Sequence, residues 1–353
     1  LSLQIATAAG AIVPAIALAH GDQEPAIPVA LPADASLPVE RMIARLQSAM
    51  RVRALHSTVL RRIETFGSHG GKMPALPTGD ALEDATVLIA GRGPLYPRLS
   101  VAMGERVKML GALSVETAAK HLNARYIDGI VVGDGFSPRM VEAFLTVLAQ
   151  DKRFRDIPVA VIGETPAEFT DALPNIDHVD GDPARLVARM VPLVRMRAFE
   201  ARLKRMLKTL DTEGMFDPET GLLTRESFLR EFERAAAEAA DRSQALSLAR
   251  FSFDGPLDDR TGTDGARILT RLTRTIDFAC RAEDGSILVA FTQTDLRGAH
   301  VVVRRLAGAL KAAMQPAGAD AIHANVTLAT LKAGDTIDSV LMRVMGSQAV
   351  AAE

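Results

Sequence analysis

The sequence predicts an α/β protein with a doubly wound parallel-sheet domain followed by an α+β domain. Between residues 85 and 193, short apolar runs alternate with stretches of helical periodicity, which is typical of a parallel sheet covered on both faces. Further along, the apolar runs 278–282 and 286–291 are separated by Glu-Asp-Gly, and Asp-Gly between strand-like runs favours a β-hairpin. A length of 353 residues fits two or three domains.

Composition excludes several function classes. The chain carries 41 Lys and Arg against 43 Asp and Glu, so no general affinity for nucleic acid or an anionic membrane is expected. Its single cysteine, Cys280, cannot form an internal disulfide, which fits a reducing compartment, and we expect a cytoplasmic protein. We interpret Cys280 as a buried, inert thiol, because no His lies near it in sequence. No zinc-ligand spacing occurs, and the absence of Trp argues against base-stacking platforms.

The start of the chain repeats a later stretch. The heptapeptide from Val13 matches the one from Ile157, and the pentapeptide from Met50 matches the one from Val194, both at a shift of 144 residues. Residues 1–66 are therefore predicted to be the C-terminal half of a first doubly wound domain with its exit helix. The apolar start lacks a basic n-region, so the repeat explains it better than a signal peptide does. Residues 67–84, rich in Gly and Pro, are predicted to be a linker.

The elements of the domain at 85–193 follow in order. Strands are predicted at 86–90, 127–132 and 157–162, and helices at 99–110 and 140–149. A connecting helix is then predicted over 194–212. Its apolar residues recur at spacings of three and four, as in a short two-stranded coiled coil, although so short a stripe could also pack on its own domain. The stripe consists of Met196, Phe199, Leu203, Met206 and Leu210.

The domain at 85–193 resembles the receiver domain of response regulators, most visibly in Arg155-Asp-Ile-Pro-Val159 before the predicted strand at 157–162. The resemblance implies a flavodoxin-like fold. A working receiver also needs an acidic cluster for Mg²⁺, a phosphoacceptor Asp, a hydroxyl residue and a Lys. Here Gly91-Arg-Gly93 follows the first strand, Gly163 stands at the hydroxyl position, and no Lys follows His178. Asp134 is the one candidate acceptor, but because its partners are missing, a loop carboxylate is the preferred interpretation.

Residues 213–353 carry a second resemblance. Asp217-Pro-Glu-Thr-Gly-Leu-Leu-Thr-Arg225 resembles the motif D-x-L-T-G-L-x-N-R, which opens GGDEF domains, the diguanylate cyclase family that condenses two GTP into cyclic di-GMP. A helix at 226–240, a strand at 246–254, a helix from Gly265, the hairpin and a strand at 326–328 follow in the family's order. The resemblance implies an α+β fold around a central antiparallel sheet.

The family's signature pentapeptide falls on Glu283, Asp284, Gly285, Ser286 and Ile287, where only the final apolar position is kept. In an active cyclase the two glycines let the backbone approach the GTP phosphates, and acidic residues after them help to hold metal. Carboxylates in place of the glycines would repel a polyanion. Because phosphoryl transfer depends on positioned cations, the resemblance implies a degenerate domain without cyclase activity.

Two further cyclase positions are altered. Asp254 falls where the family has a metal-binding aspartate, but the sequence around it departs from the family's pattern, and we interpret it as the end of a strand rather than as a surviving ligand. Ala266 stands where the family has an aspartate that contacts guanine, and the guanine-reading Asn has no clear counterpart.

A second family site is kept. Arg274 and Asp277 form an R-x-x-D motif at the register of the inhibitory site at which dimeric cyclic di-GMP binds. A guanidinium can donate two parallel bonds to guanine O6 and N7 or to phosphate, and a carboxylate can accept from guanine N1 and N2. Arg271 and Arg281 could add positive charge nearby. The alternatives are a surface salt bridge at a helix end and an unused relic.

Two receivers followed by a GGDEF domain form the architecture of PleD-type response regulators, which this chain resembles as a degenerate member. We expect a non-catalytic cyclic di-GMP receptor that requires no cofactor, with pseudo-receivers that mediate homodimerisation or docking of a signalling partner. A nucleotide-independent structural adaptor is the second interpretation. An active diguanylate cyclase is the least favoured of the three.

Overall fold

The computed structural model describes residues 15–18, 30–33, 38–68, 79–163, 169–210, 214–253, 259–313 and 324–346. The chain divides into two compact units. The first comprises Leu1–His56 with Leu76–Arg205, and the second comprises Ser57–Ala75 with Met206–Glu353. Both units mix helices and strands, as predicted. No helix within the described ranges combines the length and apolar composition that crossing a bilayer requires.

The first described elements are two short strands and a long helix. Strands β1 (Ala15–Leu18) and β2 (Ala30–Ala33) pair in parallel, and helix α1 (Val39–Ser68) has 30 residues. This parallel pair is a separate two-stranded sheet. It is neither part of the doubly wound sheet nor antiparallel.

A five-stranded parallel sheet organises the first unit. Its strand order, β4-β3-β5-β6-β7, is the flavodoxin-like doubly wound order, in which the chain reverses direction across the sheet at β3. β3 and β5 are buried along nearly their whole length, which explains their continuous apolar sequences. The strands are β3 (Thr86–Ala90), β4 (Lys108–Ala112), β5 (Gly129–Val132), β6 (Val159–Ile162) and β7 (Ile176–Val179).

Helices cover both faces of this sheet. Leu88 and Ile130 point into one core cluster with Leu145, whereas Ile89 points into a second cluster with Met190 on the opposite face. The alternation of side chains along each strand places successive residues in different cores. The helices are α2 (Tyr96–Gly104), α3 (Val115–Ala124), α4 (Pro138–Gln150), α5 (Phe169–Ala172) and α6 (Pro183–Leu210).

The helix predicted at 99–110 is wrong in its second half. Helix α2 ends at Gly104, where the amides of Arg106 and Val107 both bond to the carbonyl of Met103. Residues 108–112 then form β4, which pairs with β3 in parallel. The strand was missed because it lies at the edge of the sheet and is only partly apolar, with Lys108 and Gly111 exposed.

The connecting helix begins earlier than predicted. Helix α6 starts at Pro183 and runs without a break to Leu210, so Val194 is not a helix boundary. Within the first unit, Met196 packs on the cluster of Leu31, Ala49 and Leu193. Phe199 of the stripe packs on the core cluster that contains Ile89 and Met190, as the second of the two interpretations proposed, whereas Met196 contacts residues that lie outside that predicted domain.

A four-stranded sheet with antiparallel pairings organises the second unit, in the order β11-β8-β10-β9. Phe251, Val289 and Phe291 of the sheet form a core with Leu269 and Leu306 of the helices. The strands are β8 (Leu246–Phe253), β9 (Phe278–Arg281), β10 (Ile287–Thr292) and β11 (Ala324–Thr330), and the helices are α7 (Arg225–Asp241), α8 (Asp259–Leu272), α9 (Leu296–Ala313) and α10 (Ile337–Met345).

A buried ion pair joins α1 to β7 within the first unit. Arg45 Nη2 lies 2.6 Å from Asp177 Oδ2, and the two side chains are each 2% exposed. Arg41 Nη1 donates to the carbonyl oxygen of Ile176 at 3.1 Å. Since β7 lies at the edge of the sheet, this bond satisfies a carbonyl that none of the described strands pairs.

Removing Asp177 should destabilise the first unit strongly. Asp177→Ala leaves two arginines in a buried environment without their carboxylate, so the free energy of unfolding should fall by about 3–5 kcal/mol. The matched control is Arg51→Ala on the same helix, where the pair with Asp156 is 57% and 48% exposed. We expect less than about 1 kcal/mol there. Urea titration measures the unfolding free energy of both variants. Equal losses would show that the pair between Arg45 and Asp177 contributes no more than an exposed pair does.

Candidate functional site

The turn between α8 and β9 is closed by the carboxylate of Asp277. Its Oδ2 accepts the backbone N–H of Arg274 at 3.3 Å, and its Oδ1 accepts the backbone N–H of Thr292 at 3.1 Å. The Thr292 hydroxyl in turn donates to the carbonyl of Ile276 at 3.1 Å. One side chain therefore closes the turn after α8 and attaches it to the end of β10.

Burial dominates the electrostatics of this carboxylate. Asp277 is 8% exposed, and its burial raises the pKa of Asp277 from 3.8 to about 6. The positive charge of Arg274 and the backbone N–H groups of Arg274 and Thr292 act in the opposite direction. The carboxyl group therefore titrates about one pH unit below neutrality. At pH 7 it is mainly ionised.

Arg274 and Asp277 line one cavity of about 220 Å³ in the second unit. The Arg274 side chain is exposed, whereas Asp277 belongs to the buried wall. The two residues predicted to bind ligand thus face the same space. The other lining residues come from α1, from the end of α6, from the turn before α7, from α8, from the turn after α8 and from the start of β9: Arg62, Leu207, Phe216, Gly221, Leu222, Leu223, Thr270, Thr273, Thr275, Phe278 and Ala279.

The motif that begins at Asp217 forms one wall of the cavity. Asp217 accepts the amide of Glu219 at 3.1 Å and the hydroxyl of Thr220 at 2.7 Å. Gly221 then adopts a φ of +70°, which favours glycine. The next residue but one, Leu223, donates its N–H to the carbonyl of Ala279 at 2.9 Å. The motif is therefore a tight turn fixed to β9.

The neighbouring arginines differ in position. Arg271 is exposed on the last turn of α8, and Arg281 is half-buried with Nη2 3.2 Å from where a Cβ on Gly262 would lie. Neither arginine belongs to the described residues that line the cavity. Arg305 of α9 lies beside the end of α8, where its Nη2 donates to the carbonyl of Leu272 at 3.5 Å, and it too is absent from the described lining of the cavity. Arg305 is too distant in sequence for any local spacing to have identified it.

The side chains at the tip of the β9–β10 hairpin bond to one another. Asp284 lies 2.5 Å from Arg250 Nη2 and accepts the amide and hydroxyl of Ser286 at 3.0 and 2.5 Å. Partial burial raises the pKa of Asp284, but the bonds from Ser286 and Arg250 outweigh it and hold that pKa below its ordinary value. Glu283 is exposed and lies 3.7 Å from Arg225. Gly285 has a φ of +78°, and Ile287 is buried.

The sequence also singled out Asp254 and Cys280. Asp254 lies outside the described residues. Cys280 is buried, and its burial raises the pKa of the thiol to about 12, which makes it a poor nucleophile, as expected. Across the described ranges, no three His, Cys, Asp or Glu side chains are grouped so that they could hold a metal ion.

Asp134 lies at the carboxyl end of β5 in the first unit. Its Oδ2 accepts the N–H of Leu95 at 3.2 Å, just before α2, and its carbonyl accepts the amides of Arg92 and Gly93, each at 3.1 Å. A Cβ on Gly93 would lie 2.1 Å from Asp134 Oδ2, so only glycine permits this approach. The carboxylate holds the loop after β3, which is a structural role.

The chain matches no family model and no curated protein. Part of it is similar to several solved GGDEF domains. The coiled coil and GGDEF domain of DgcB from Caulobacter crescentus, in complex with c-di-GMP, is 21% identical over 41% of this chain and 84% of that one, with a TM-score of 0.36. The diguanylate cyclase SiaD of Pseudomonas aeruginosa, in complex with its activator SiaC, is 22% identical over 41% and 62%, with a TM-score of 0.35. The FimX GGDEF domain, also from Pseudomonas aeruginosa, is 17% identical over 37% and 89%, with a TM-score of 0.34.

Titration of Asp277 should make the stability of the second unit depend on pH. The pKa of Asp277 is about 6 in the folded state, whereas it is 3.8 in the unfolded state. Ionisation of Asp277 therefore disfavours folding. Its contribution to stability is fully present below about pH 4 and is lost as the pH rises through 6. The loss is roughly 3 kcal/mol, at about 1.4 kcal/mol per pKa unit.

The variant Asp277→Asn should lack this increment. Asparagine cannot ionise, although it also loses one of the two backbone bonds, which costs about 1 kcal/mol at every pH. Urea titrations at pH 4.5 and pH 7.5 should show about 2 kcal/mol of this loss in the parent, because the unfolded state is already largely ionised at pH 4.5, and none of it in the variant. An identical pH dependence in both proteins would show that Asp277 does not titrate in this range.

Proposed function

We propose that this chain is a non-catalytic receptor for cyclic di-GMP that binds the dinucleotide at Arg274 and Asp277. The observation that carries the proposal is that an exposed guanidinium and a buried carboxylate of the R-x-x-D motif line the same cavity. The proposal places the protein in the cytoplasm. It assigns the doubly wound part of the chain, as degenerate receivers, to homodimerisation or to docking of a signalling partner.

The carboxylate retains capacity for a ligand. Each of its oxygens has two lone-pair positions, and one on each oxygen is used by the N–H groups of Arg274 and Thr292. The remaining positions suit the adjacent N1 and N2 donors of a guanine. Because Asp277 is fixed by backbone bonds, little conformational entropy is lost when such a ligand binds.

The size and surroundings of the cavity suit one base rather than a whole dinucleotide. A volume of about 220 Å³ is below the roughly 300–1,000 Å³ of pockets that enclose drug-sized ligands. The phosphates of the dinucleotide would therefore remain outside the cavity, near the exposed Arg274 and Arg271. Arg305 of α9, which bonds to the last residue of α8, would lie near them as well. Cations are favoured there in any case, since the carboxyl end of a helix carries partial negative charge.

The hairpin supports a non-catalytic role. Phosphoryl transfer requires cations that are free to neutralise charge on the transferring group. At the position of the family's signature, Asp284 is bonded to Arg250 and Ser286, and Glu283 adds a further carboxylate. The side chains that would meet GTP phosphates are negative and are already engaged.

A nucleotide-independent adaptor is the second candidate function. The observation that favours it is the pair of backbone bonds made by Asp277, because they give this residue a structural role that needs no ligand. The adaptor and the receptor differ in one measurable respect, which is whether the purified protein binds cyclic di-GMP.

Calorimetric titration with cyclic di-GMP tests the receptor. Arg274→Ala should weaken binding by about tenfold to a hundredfold, the value of one or two charge-assisted hydrogen bonds. The matched control is Arg267→Ala on α8, the helix that precedes Arg274, because its side chain is 57% exposed and pairs with Asp264. It should bind as the parent does. If the parent protein bound no cyclic di-GMP, the receptor proposal would be wrong and the adaptor would remain as the proposed function. If the purified protein converted GTP to cyclic di-GMP in the presence of Mg²⁺, the cyclase interpretation would be correct instead.

The affinity should also fall at acidic pH. Only the ionised carboxylate accepts two donors from guanine, and the pKa of Asp277 is about 6. The dissociation constant should thus be constant above pH 7 and rise about tenfold per pH unit well below 6. Titrations at pH 7.5, 6.0 and 5.0 measure this dependence. An affinity that does not change with pH would exclude Asp277 from contact with the ligand.

A further inference from the structure

We infer that Arg62, on the last turns of α1, is a further ligand-binding residue of the Arg274–Asp277 cavity and makes binding depend on the placement of α1. The inference rests on the proposed function and adds a residue to it. Arg62 lines the cavity together with Arg274 and Asp277, although about 210 residues separate it from them in sequence. All three residues belong to the second unit.

An aromatic ring and a carboxylate both contact the guanidinium of Arg62. Its Cζ lies 5.2 Å from the centre of the Phe216 ring, which also lines the cavity. Its Nε lies 3.7 Å from Glu231 Oε2. A planar cation that is supported by an aromatic ring and 7% exposed as a side chain is preorganised to contact the face or the acceptor edge of a purine.

The same arginine connects the cavity to the contact between α1 and α7. Glu231 is fully buried, and Arg61 Nε lies 3.4 Å from its Oε1. Thr65 donates its hydroxyl to Glu231 Oε2 at 3.2 Å, so three residues of α1 meet one carboxylate. If a ligand contacts Arg62, it binds more tightly when this part of α1 is packed on α7 than when it is not, and it stabilises that packing.

The chain offers a matched pair of variants. Arg62→Lys keeps the charge beside Glu231 but removes the planar group that faces the cavity. Thr65→Val is isosteric, removes one bond to the same carboxylate, and concerns a residue that does not line the cavity in the part of the chain that the structure describes. Both variants weaken the attachment of α1 to Glu231, but only one changes the cavity.

Calorimetric titration of the full chain with cyclic di-GMP gives the first test. Arg62→Lys should weaken binding at least tenfold, and Thr65→Val should change it by less than about threefold. Binding by the parent with an unchanged affinity in Arg62→Lys would overturn this inference and leave the proposed function standing. Equal losses in the two variants would also overturn it, because the effect would then come from the packing of α1. A parent that does not bind would overturn both proposals.

Amide hydrogen exchange gives a second test, which distinguishes a ligand-binding role of Arg62 from a purely structural one. Saturating cyclic di-GMP should slow exchange in residues 57–68 of the parent, because the ligand favours the packed state of α1. In Arg62→Lys, at ligand concentrations that restore saturation, this protection should be lost. Protection that persists in the saturated variant, or that is absent from the saturated parent, would show that Arg62 does not link the ligand to α1.

Discussion

The buried carboxylate of Asp277 is the interaction on which the candidate site depends. It bonds the turn after α8 to the end of β10, so the backbone position from which Arg274 extends is fixed by the core of the sheet. Burial raises the pKa of Asp277 to about 6, and the ionised form is therefore unfavourable for folding at neutral pH. Asp277 therefore lines a cavity although its ionised form reduces the stability of the fold. This combination is typical of residues that bind a ligand.

The hairpin beside this turn is stabilised in a different way. Its tip contains an internal network in which Arg250, from the adjacent strand β8, bonds to both Asp284 and Ser286. Only Gly285 adopts a left-handed conformation there. An anion that approached the tip would have to compete with Asp284 for Arg250 and would meet the exposed Glu283. The hairpin tip therefore attracts phosphate less than the turn that carries Arg274 does.

Local patterns in the sequence predicted what depends on local physics. Strand β3 occupies the predicted residues 86–90, because a strand buried on both faces must be continuously apolar. Spacing within a single turn was sufficient to place Arg274 beside Asp277. The edge strand β4 could not be recognised, since its exposed residues interrupt the apolar run. Arg62 and Arg305 were missed for another reason, because tertiary packing alone brings them near the site. The assignment of residues 1–66 to half of a repeated domain stays a prediction.

The contact between α1 and α7 has a consequence for how the second unit can respond to a ligand. Glu231 is fully buried and its nearest cations, Arg61 and Arg62, both come from α1. If this part of α1 moved away, Glu231 would lose both partners, at a cost of several kcal/mol for an unpaired buried charge. The packed state is therefore well separated from any alternative. A ligand that touches Arg62 adds its differential affinity to that separation, and by reciprocity any partner that displaces α1 must lower the affinity for the ligand by the same factor.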